Sequence, residues 1–446
     1  MRRIKMNEKK NNDSFVSAKL FIGALVIIAV LMLGAYIATL LLPCDGIPFW
    51  KWLLSPILVL GAEDNVSLIA VIAFLLIIGG VFNALEKADI LVYMLGKITD
   101  KYADKKYRLM AVVMFFFMAL GSLIGSFEEC VPMVPIVVAL AVRLGWDRMT
   151  GVAMSLLAVG CGFAAGVFNP FTIGIAQGIA GLPMFSGAWF RAINFVCIYL
   201  LLLFFTRGHA KKIDRGVLDT DRSAFSFEEK KEKAVKLFAG IVGAGIVVVL
   251  SSAFITFLRD YTFIIIEVAF LAAGISSCLV SGMERKEFRY FFFKGLVSML
   301  PAVLMILMAS SIKYTLETAG VLDVIVEAAV SFAGKLPNWM VILFIYLFVL
   351  VMNFFIASGS AKAVMLMPLL IPLAEPFGIS PQLVIVAFAF GDGFSNVFYP
   401  TNPALLISLG LADTSYVDWF KFSGKFQLLN LLLTSLLLLF GKAIGV

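Results

Sequence analysis

The chain has 446 residues, 61% of them hydrophobic and only 15% charged, against roughly half apolar and one-quarter charged in soluble globular domains. That composition excludes a soluble enzyme or nucleic-acid-binding domain and identifies an integral membrane protein. The formal net charge of +7 comes from Lys and Arg beside apolar runs, the asymmetry of a multi-pass protein oriented positive-inside.

In chain order, a basic stretch, MRRIKMNEKK, precedes an apolar run over 18–42. This run is too long for a signal peptide and no small-residue cleavage site follows, so it reads as a span with a cytoplasmic N-terminus. A second run over 66–82 leads to a basic loop over 86–108. Two short apolar pieces follow, 110–124 and 133–142, separated by GSFEECVP. They predict an inward-opening re-entrant hairpin over 107–145 that turns near Glu128 and Glu129 at mid-membrane depth. A span over 149–180 is broken at GVFNPFT, and a span over 193–205 leads into a polar cytoplasmic connector, 207–236, which holds the single His209. The connector separates an N-terminal repeat (1–206) from a C-terminal one (237–446).

The second half predicts spans near 239–257, 263–280 and 296–314, with the basic loop MERKEFRYFFFK cytoplasmic. An outward-opening hairpin over 338–378 follows, then a broken helix over 382–411, an amphipathic link, DTSYVDWFKF, and a last span over 428–440. The Phe runs at 115 and 291 read as lipid-facing bulk. The scattered cysteines show no CxxC spacing, and with one His there is no metal or His-nucleophile constellation.

At an offset of 233 residues Pro135 falls on Pro368, Gly145 on Gly378 and Asn169-Pro170 on Asn402-Pro403, while GCGF at 160 meets GDGF at 391 with a shift of two. The charge rule gives the two halves opposite topology, and inverted repeats with interrupted helices are the architecture of secondary transporters. The fold expected is therefore an all-α polytopic membrane protein of inverted repeats, each with a re-entrant hairpin and a broken helix. Non-helical backbone at membrane depth is tolerated only where protein or a water-filled cavity satisfies it. The polar breaks then supply the candidate binding residues: Ser126, Glu128 and Glu129; Asn169 and Thr172; Asn353, Ser358, Gly359, Ser360 and Lys362; Asp392, Ser395, Asn396, Thr401 and Asn402. Freed amides suit a carboxylate, and freed carbonyls with Asn or Ser oxygens suit a cation such as Na+ at the hairpin tips.

Each residue also has a structural reading. One of Glu128 and Glu129 serves as a helix cap, Asn169 and Asn402 break helices, Asp392 pairs with Lys362 for structure, and Ser358 and Ser360 permit close packing. Glu267 with a local partner and Lys313/Glu317 as a helix-end pair are read as structural.

EECVPMVPIVVALAVRLGWDRMTGVAM, GFAAGVFNPFTIGIAQGIAGLPMFSG and FGDGFSNVFYPTN resemble the YfcC/DcuC-type anaerobic four-carbon dicarboxylate carrier family of the ion transporter superfamily. The resemblance implies a homodimer with a scaffold and a moving, elevator-type transport domain containing both hairpins, in a bacterial inner membrane. It implies a dicarboxylate or basic amino acid as substrate. After SGS the family is expected to carry a small or neutral polar residue, where this chain has Ala361-Lys362. The Lys362 ammonium is thus expected to take the place of a coupling cation, to pair with Glu128, Glu129 or Asp392, or to contact a substrate carboxylate.

The function expected is an ion-coupled secondary transporter or antiporter of a small carboxylate-bearing solute, coupled to Na+ or H+, without a cofactor and without nucleic acid. No GxxxxGK[ST] pattern is present for a primary pump. Two alternatives are a membrane-embedded enzyme using Glu128, Glu129 and Asp392 as acids, and a channel, which opposed hairpins disfavour.

Overall fold

The computed structural model describes residues 25–26, 28–62, 66–125, 127–183, 185–216, 228–251, 261–356 and 358–446. All regular structure among them is helical. Seven helices in the described residues are long and apolar enough to cross a membrane.

An apolar helix Ile28–Leu41 comes first. After the short helices Phe49–Leu53 and Ser55–Leu58 come α1 (Val66–Lys87), α2 (Ile90–Tyr102), α3 (Lys106–Ile124), a 3-10 turn Glu128–Met133 and α4 (Val134–Arg143). Next comes α5 (Arg148–Ala165), with a π turn inside it. A break and a second π turn, Pro170–Gly174, lead to α6 (Ile175–Ile179) and α7 (Ala188–Ile213). The second half holds α8 (Glu229–Ser251), α9 (Thr262–Ser281), α10 (Arg285–Ser298), α11 (Leu300–Thr318) and α12 (Val321–Ala333). It ends with α13 (Asn338–Phe355), α14 (Gly359–Ala374), α15 (Pro381–Asn396), α16 (Pro403–Leu411) and α17 (Tyr416–Ala443).

Several expected loops are helices. The basic stretch 86–108 contains α2, whose Ile90, Tyr93, Leu95, Gly96 and Thr99 face inward while Lys97 and Lys101 face out. MERKEFRYFFFK forms α10, opened by a capping box between Glu284 and Glu287. Of the link DTSYVDWFKF, Ser415 caps the 28-residue α17 and Tyr416 to Phe422 form its first two turns. The connector expected over 207–236 is invaded from both ends, since α7 runs to Ile213 and α8 starts at Glu229; residues 217–227 lie outside the described residues. Charged side chains hide these helices in sequence because an amphipathic helix needs only a stripe of apolar positions. The Phe runs are also not uniform: Phe115 and Phe116 are exposed but Phe117 is buried, and of residues 291–293 only Phe293 is exposed.

Packing divides the helices. α8 lies on α9 and α2, while α1 lies on α9 and α10. In the other group α3 packs on α5, α13 on α15, α5 on α15, and α7 on α17. The crossed contacts match: α14 of the second hairpin lies on α6, and the turn Glu128–Met133 with α4 lies on α16. α11 touches both groups, through α1 on one side and α13 and α16 on the other, and so does α2, which lies on α8 and also on α4.

The first hairpin is closed at its base, where Lys106 Nζ donates to Leu144 O at 3.2 Å. Its first arm is 19 residues, longer than the apolar run alone suggests, because the helix starts at Lys106. Glycine permits the tightest crossings. A Cβ on Gly162 would lie 1.9 Å from Met118 O on α3, and one on Gly393 would lie 2.4 Å from Ala164 Cα. The GCGF and GDGF motifs therefore mark where α3 meets α5 and where α5 meets α15.

Candidate functional site

The breaks in α5–α6 and α15–α16 are made the same way. α5 ends at Ala165, and Gly166 leaves the helix in the left-handed region at φ +49. Asn169 Oδ1 then accepts from Thr172 N at 3.2 Å, and Asn402 Oδ1 accepts from Leu405 N at 3.2 Å, each just ahead of a restarted turn. Both asparagines thus cap a restarted turn, a role beyond the helix breaking expected of the Asn-Pro pairs. A Cβ on Gly125 would fall 2.2 Å from Asn169 Oδ1, which places the first hairpin's end on this cap.

A chain that leaves helix inside an apolar slab frees carbonyls and amides that must find partners. Here the partners are side chains of neighbouring helices. Ser122 on α3 accepts from Val167 N through its hydroxyl and from Phe168 N through its carbonyl, both at 3.0 Å. Arg191 on α7, fully buried, donates to Val167 O (3.1 Å), Ser186 O (2.8 Å) and Phe185 O (3.3 Å). At the second break α17 does the same work: Trp419 Nε1 donates to Val397 O at 2.8 Å and Tyr416 OH to Phe398 O at 3.0 Å. In each half the long helix after the break supplies the donors. Sequence reasoning missed Arg191, Trp419 and Tyr416. A lone Arg at the head of a span looks like a flanking charge, and an aromatic at a helix start looks like an interfacial anchor.

Between the breaks lies a buried polar cluster. Lys362, on the first turn and a half of α14, is fully buried and donates to Asp392 Oδ1 of α15 at 2.6 Å. It also donates to Asn353 Oδ1 at the end of α13. The Asn353 amide points the other way, toward Ser395 Oγ (2.7 Å), Asn396 Oδ1 (3.0 Å) and Asp392 O (3.1 Å). Asn402 Nδ2 extends the chain to Asn396 Oδ1 at 3.0 Å. Of the partners expected for Lys362, Asp392 is in place; the side chains of the other two, Glu128 and Glu129, lie outside the described residues.

Asp392 Oδ2, Thr172 Oγ1 and Thr401 Oγ1 are buried without a hydrogen-bond partner among the described residues. Two of these side chains meet over Gly359, where a Cβ would lie 2.5 Å from Asp392 Oδ2 and 2.7 Å from Thr172 Cγ2. Gly359 therefore lets the start of α14 approach both. Ser358 caps α14, accepting from Ala361 N at 3.3 Å, with its side chain exposed, and Ser360 is half-buried beside it. Ser126 and the side chains of Glu128 and Glu129 lie outside the described residues. Lys313 and Glu317 form the expected helix pair at 3.6 Å.

At the base of the first hairpin lies a second charged group. Asp147 caps α5 by accepting from Thr150 N and Oγ1, and its other oxygen meets His209 Nε2 at 2.9 Å. Burial pushes the Asp147 carboxyl up, but the His209 and Thr150 hydrogen bonds outweigh it and hold it below its ordinary value. Asp214 accepts from Lys106 Nζ (2.5 Å), Tyr107 OH (2.7 Å) and Gly216 N (2.9 Å). Those bonds overcome burial and lower it to about 2.

Long apolar helices, two interrupted ones and a buried polar seam between them define a multi-pass membrane protein. The profile of the C4-dicarboxylate anaerobic carrier family (DcuC) matches residues 57–443, and the chain belongs to that family. It is 28% identical over 395 residues to YfcC of Escherichia coli K12, named as a candidate basic amino acid antiporter, covering 84% of this chain and 78% of that one. An uncharacterised protein of Haemophilus influenzae is 24% identical over 377 residues, covering 81% and 73% of the two chains. Among solved structures, the YdaH transporter of Alcanivorax borkumensis aligns at 17% identity over 96% of this chain and 98% of its own, with a TM-score of 0.46. MtrF of Neisseria gonorrhoeae, from a class of antimetabolite efflux pumps, aligns at 14% identity over 94% of each chain, with a TM-score of 0.44.

Proposed function

We propose that this protein moves a small carboxylate-bearing solute, an amino acid or a four-carbon dicarboxylate, across a bacterial inner membrane by alternating access, releasing it chemically unchanged. The observation that carries the reading is the fully buried Lys362–Asp392–Asn353 cluster, set where a hairpin arm meets a broken helix. Ionisable groups at such depth are expensive and are retained for a task.

The matched, crossed contacts of hairpins and broken helices support inverted repeats over 1–206 and 237–446. The mutual packing of α1, α8, α9 and α10, with α2 bridging from α8 to α4, supports a scaffold, beside which the group of α3–α7 and α13–α17 moves as an elevator. On this reading the N-terminus is cytoplasmic and two copies pair through their scaffolds. Lys362 and Asp392 cancel in charge, so the described part of the site suits a zwitterion at least as well as a dianion. That favours an exchanger of amino acids.

The test is counterflow in proteoliposomes, with labelled basic and neutral amino acids and C4 dicarboxylates. Saturable exchange of one class, lost in Asp392→Asn, is expected. Purified, folded protein that moves none of them, or that shows single-channel current steps, refutes the proposal.

A further inference from the structure

The Lys362 ammonium is held as a small cation is held. Its two described acceptors are side-chain oxygens, Asp392 Oδ1 and Asn353 Oδ1, and the whole lysine is buried. The cradle is rigid: Asn353 is fixed from behind by Ser395 and Asn396, which orients its Oδ1 toward Lys362, and Asp392 stands inside α15. Carboxylate and carbonyl oxygens are the donors that hard cations take. A second observation points the same way. The other oxygen of the carboxylate, Oδ2, is buried and accepts no hydrogen bond among the described residues, and it lies 2.5 Å from the Cβ position of Gly359, with the Thr172 methyl 2.7 Å from the same point. The lysine thus leaves one oxygen of this carboxylate unsatisfied.

We infer that Lys362 is a tethered cation: it permanently fills a cradle of Asn353 and Asp392 oxygens that takes a monovalent cation, sodium first, once the ammonium is removed. The consequence for transport rests on the reading above; the binding itself does not. A site left with a lone buried carboxylate is too costly to carry through a low-dielectric barrier, so such a carrier needs a dissolved cation in each cycle. With the ammonium built into α14 the carboxylate is neutralised at every stage. The sodium gradient then has nothing to act on, and the solute must be driven by exchange or by its own gradient.

The experiment compares thermal unfolding of the purified wild type, Lys362→Ala and Lys362→Ala/Asp392→Asn in sodium, potassium and choline chloride at equal ionic strength. A ligand of the native state raises apparent stability by mass action. The wild-type midpoint should be the same in all three salts. Lys362→Ala should show a saturable upward shift in sodium, of several degrees, that choline does not give and that the double variant loses. Methylammonium or ethylammonium, free pieces of the missing side chain, should restore part of the same shift. A folded Lys362→Ala with no cation-specific shift overturns the inference, as does a wild type stabilised by sodium over choline. If Lys362→Ala fails to fold in every salt, Lys362→Gln is the second variant, and it must show the sodium shift for the inference to stand. Counterflow assays on the same samples keep the two ideas apart. Sodium binding by Lys362→Ala without solute exchange by the wild type supports the tethered cation and refutes the transport reading. Solute exchange by the wild type without sodium binding by the variant does the reverse.

Discussion

Replacing Gly162 by alanine tests whether α3 and α5 form one body. The added Cβ would lie 1.9 Å from Met118 O and 2.7 Å from Met118 C, which are backbone atoms in the middle of a helix and cannot swing aside. Ordinary contact begins near 3.5 Å, so α3 would have to retreat by about 1.5 Å along its length. Overpacking of this kind costs typically about 1–3 kcal/mol, and a backbone clash belongs at the top of that range. The alanine regains about 1 kcal/mol of helix propensity, leaving a net loss near 2 kcal/mol. Gly240 on α8 is the control, because nothing lies within 4 Å of its Cβ position. Gly240→Ala should be neutral or stabilising by up to about 1 kcal/mol. Equilibrium unfolding of both variants in mixed detergent micelles measures the difference, expected at about 3 kcal/mol from these two contributions. If Gly162→Ala is as benign as Gly240→Ala, the tight crossing is wrong, and with it the argument that the first hairpin travels with its broken helix.

Other outcomes follow from the same geometry. Arg191→Lys keeps the charge but loses the fork, leaving Val167 O without its donor, and should cost about 2–3 kcal/mol in the same titration; a loss under about 0.5 kcal/mol counts against the role given to Arg191. Gly359→Ala puts a carbon 2.5 Å from Asp392 Oδ2 and should weaken solute binding at least tenfold, read as a lost ligand-induced thermal shift; unchanged affinity removes Gly359 from the site. Asp214 is lowered from its ordinary 3.8 to about 2, so its contribution to stability is complete above pH 4 and is lost as pH falls from about 4 through about 2. Asp214→Asn should therefore flatten that part of the acid-stability profile while costing about 1 kcal/mol at neutral pH, because the group is partly exposed. A variant whose profile retains the wild-type slope between pH 4 and 2 contradicts that assignment.

Much of the interrupted architecture is legible in local chemistry. Asn169-Pro170 and Asn402-Pro403 announce caps and restarts because asparagine accepts from the backbone two or three residues on and proline suits a first turn. A lysine within an apolar run predicts a partner, and Asp392 was among the few candidates. The missing parts are those decided by distant contacts. Nothing local separates a buried Arg191 from a flanking one, and its role appears only when α7 is laid against the first break. Helices α2 and α10 escape for a different reason: their outward charges resemble a loop to any reading weighted by hydropathy. The second break was visible, but its supporting donors on α17 were hidden in a segment that looked like a link.

The bond from Trp419 to Val397 also gives the second break an optical label of its own. Trp419 is fully buried, whereas Trp50, Trp189 and Trp339 are largely exposed, so its emission should form the blue part of the spectrum, shared with the buried Trp146. An indole whose N–H is tied to a carbonyl of the broken segment reports any rearrangement of that segment through its wavelength and quenching. Subtracting the spectrum of Trp419→Phe isolates that signal, and the protein's own fluorescence can then follow solute arrival at the break in real time.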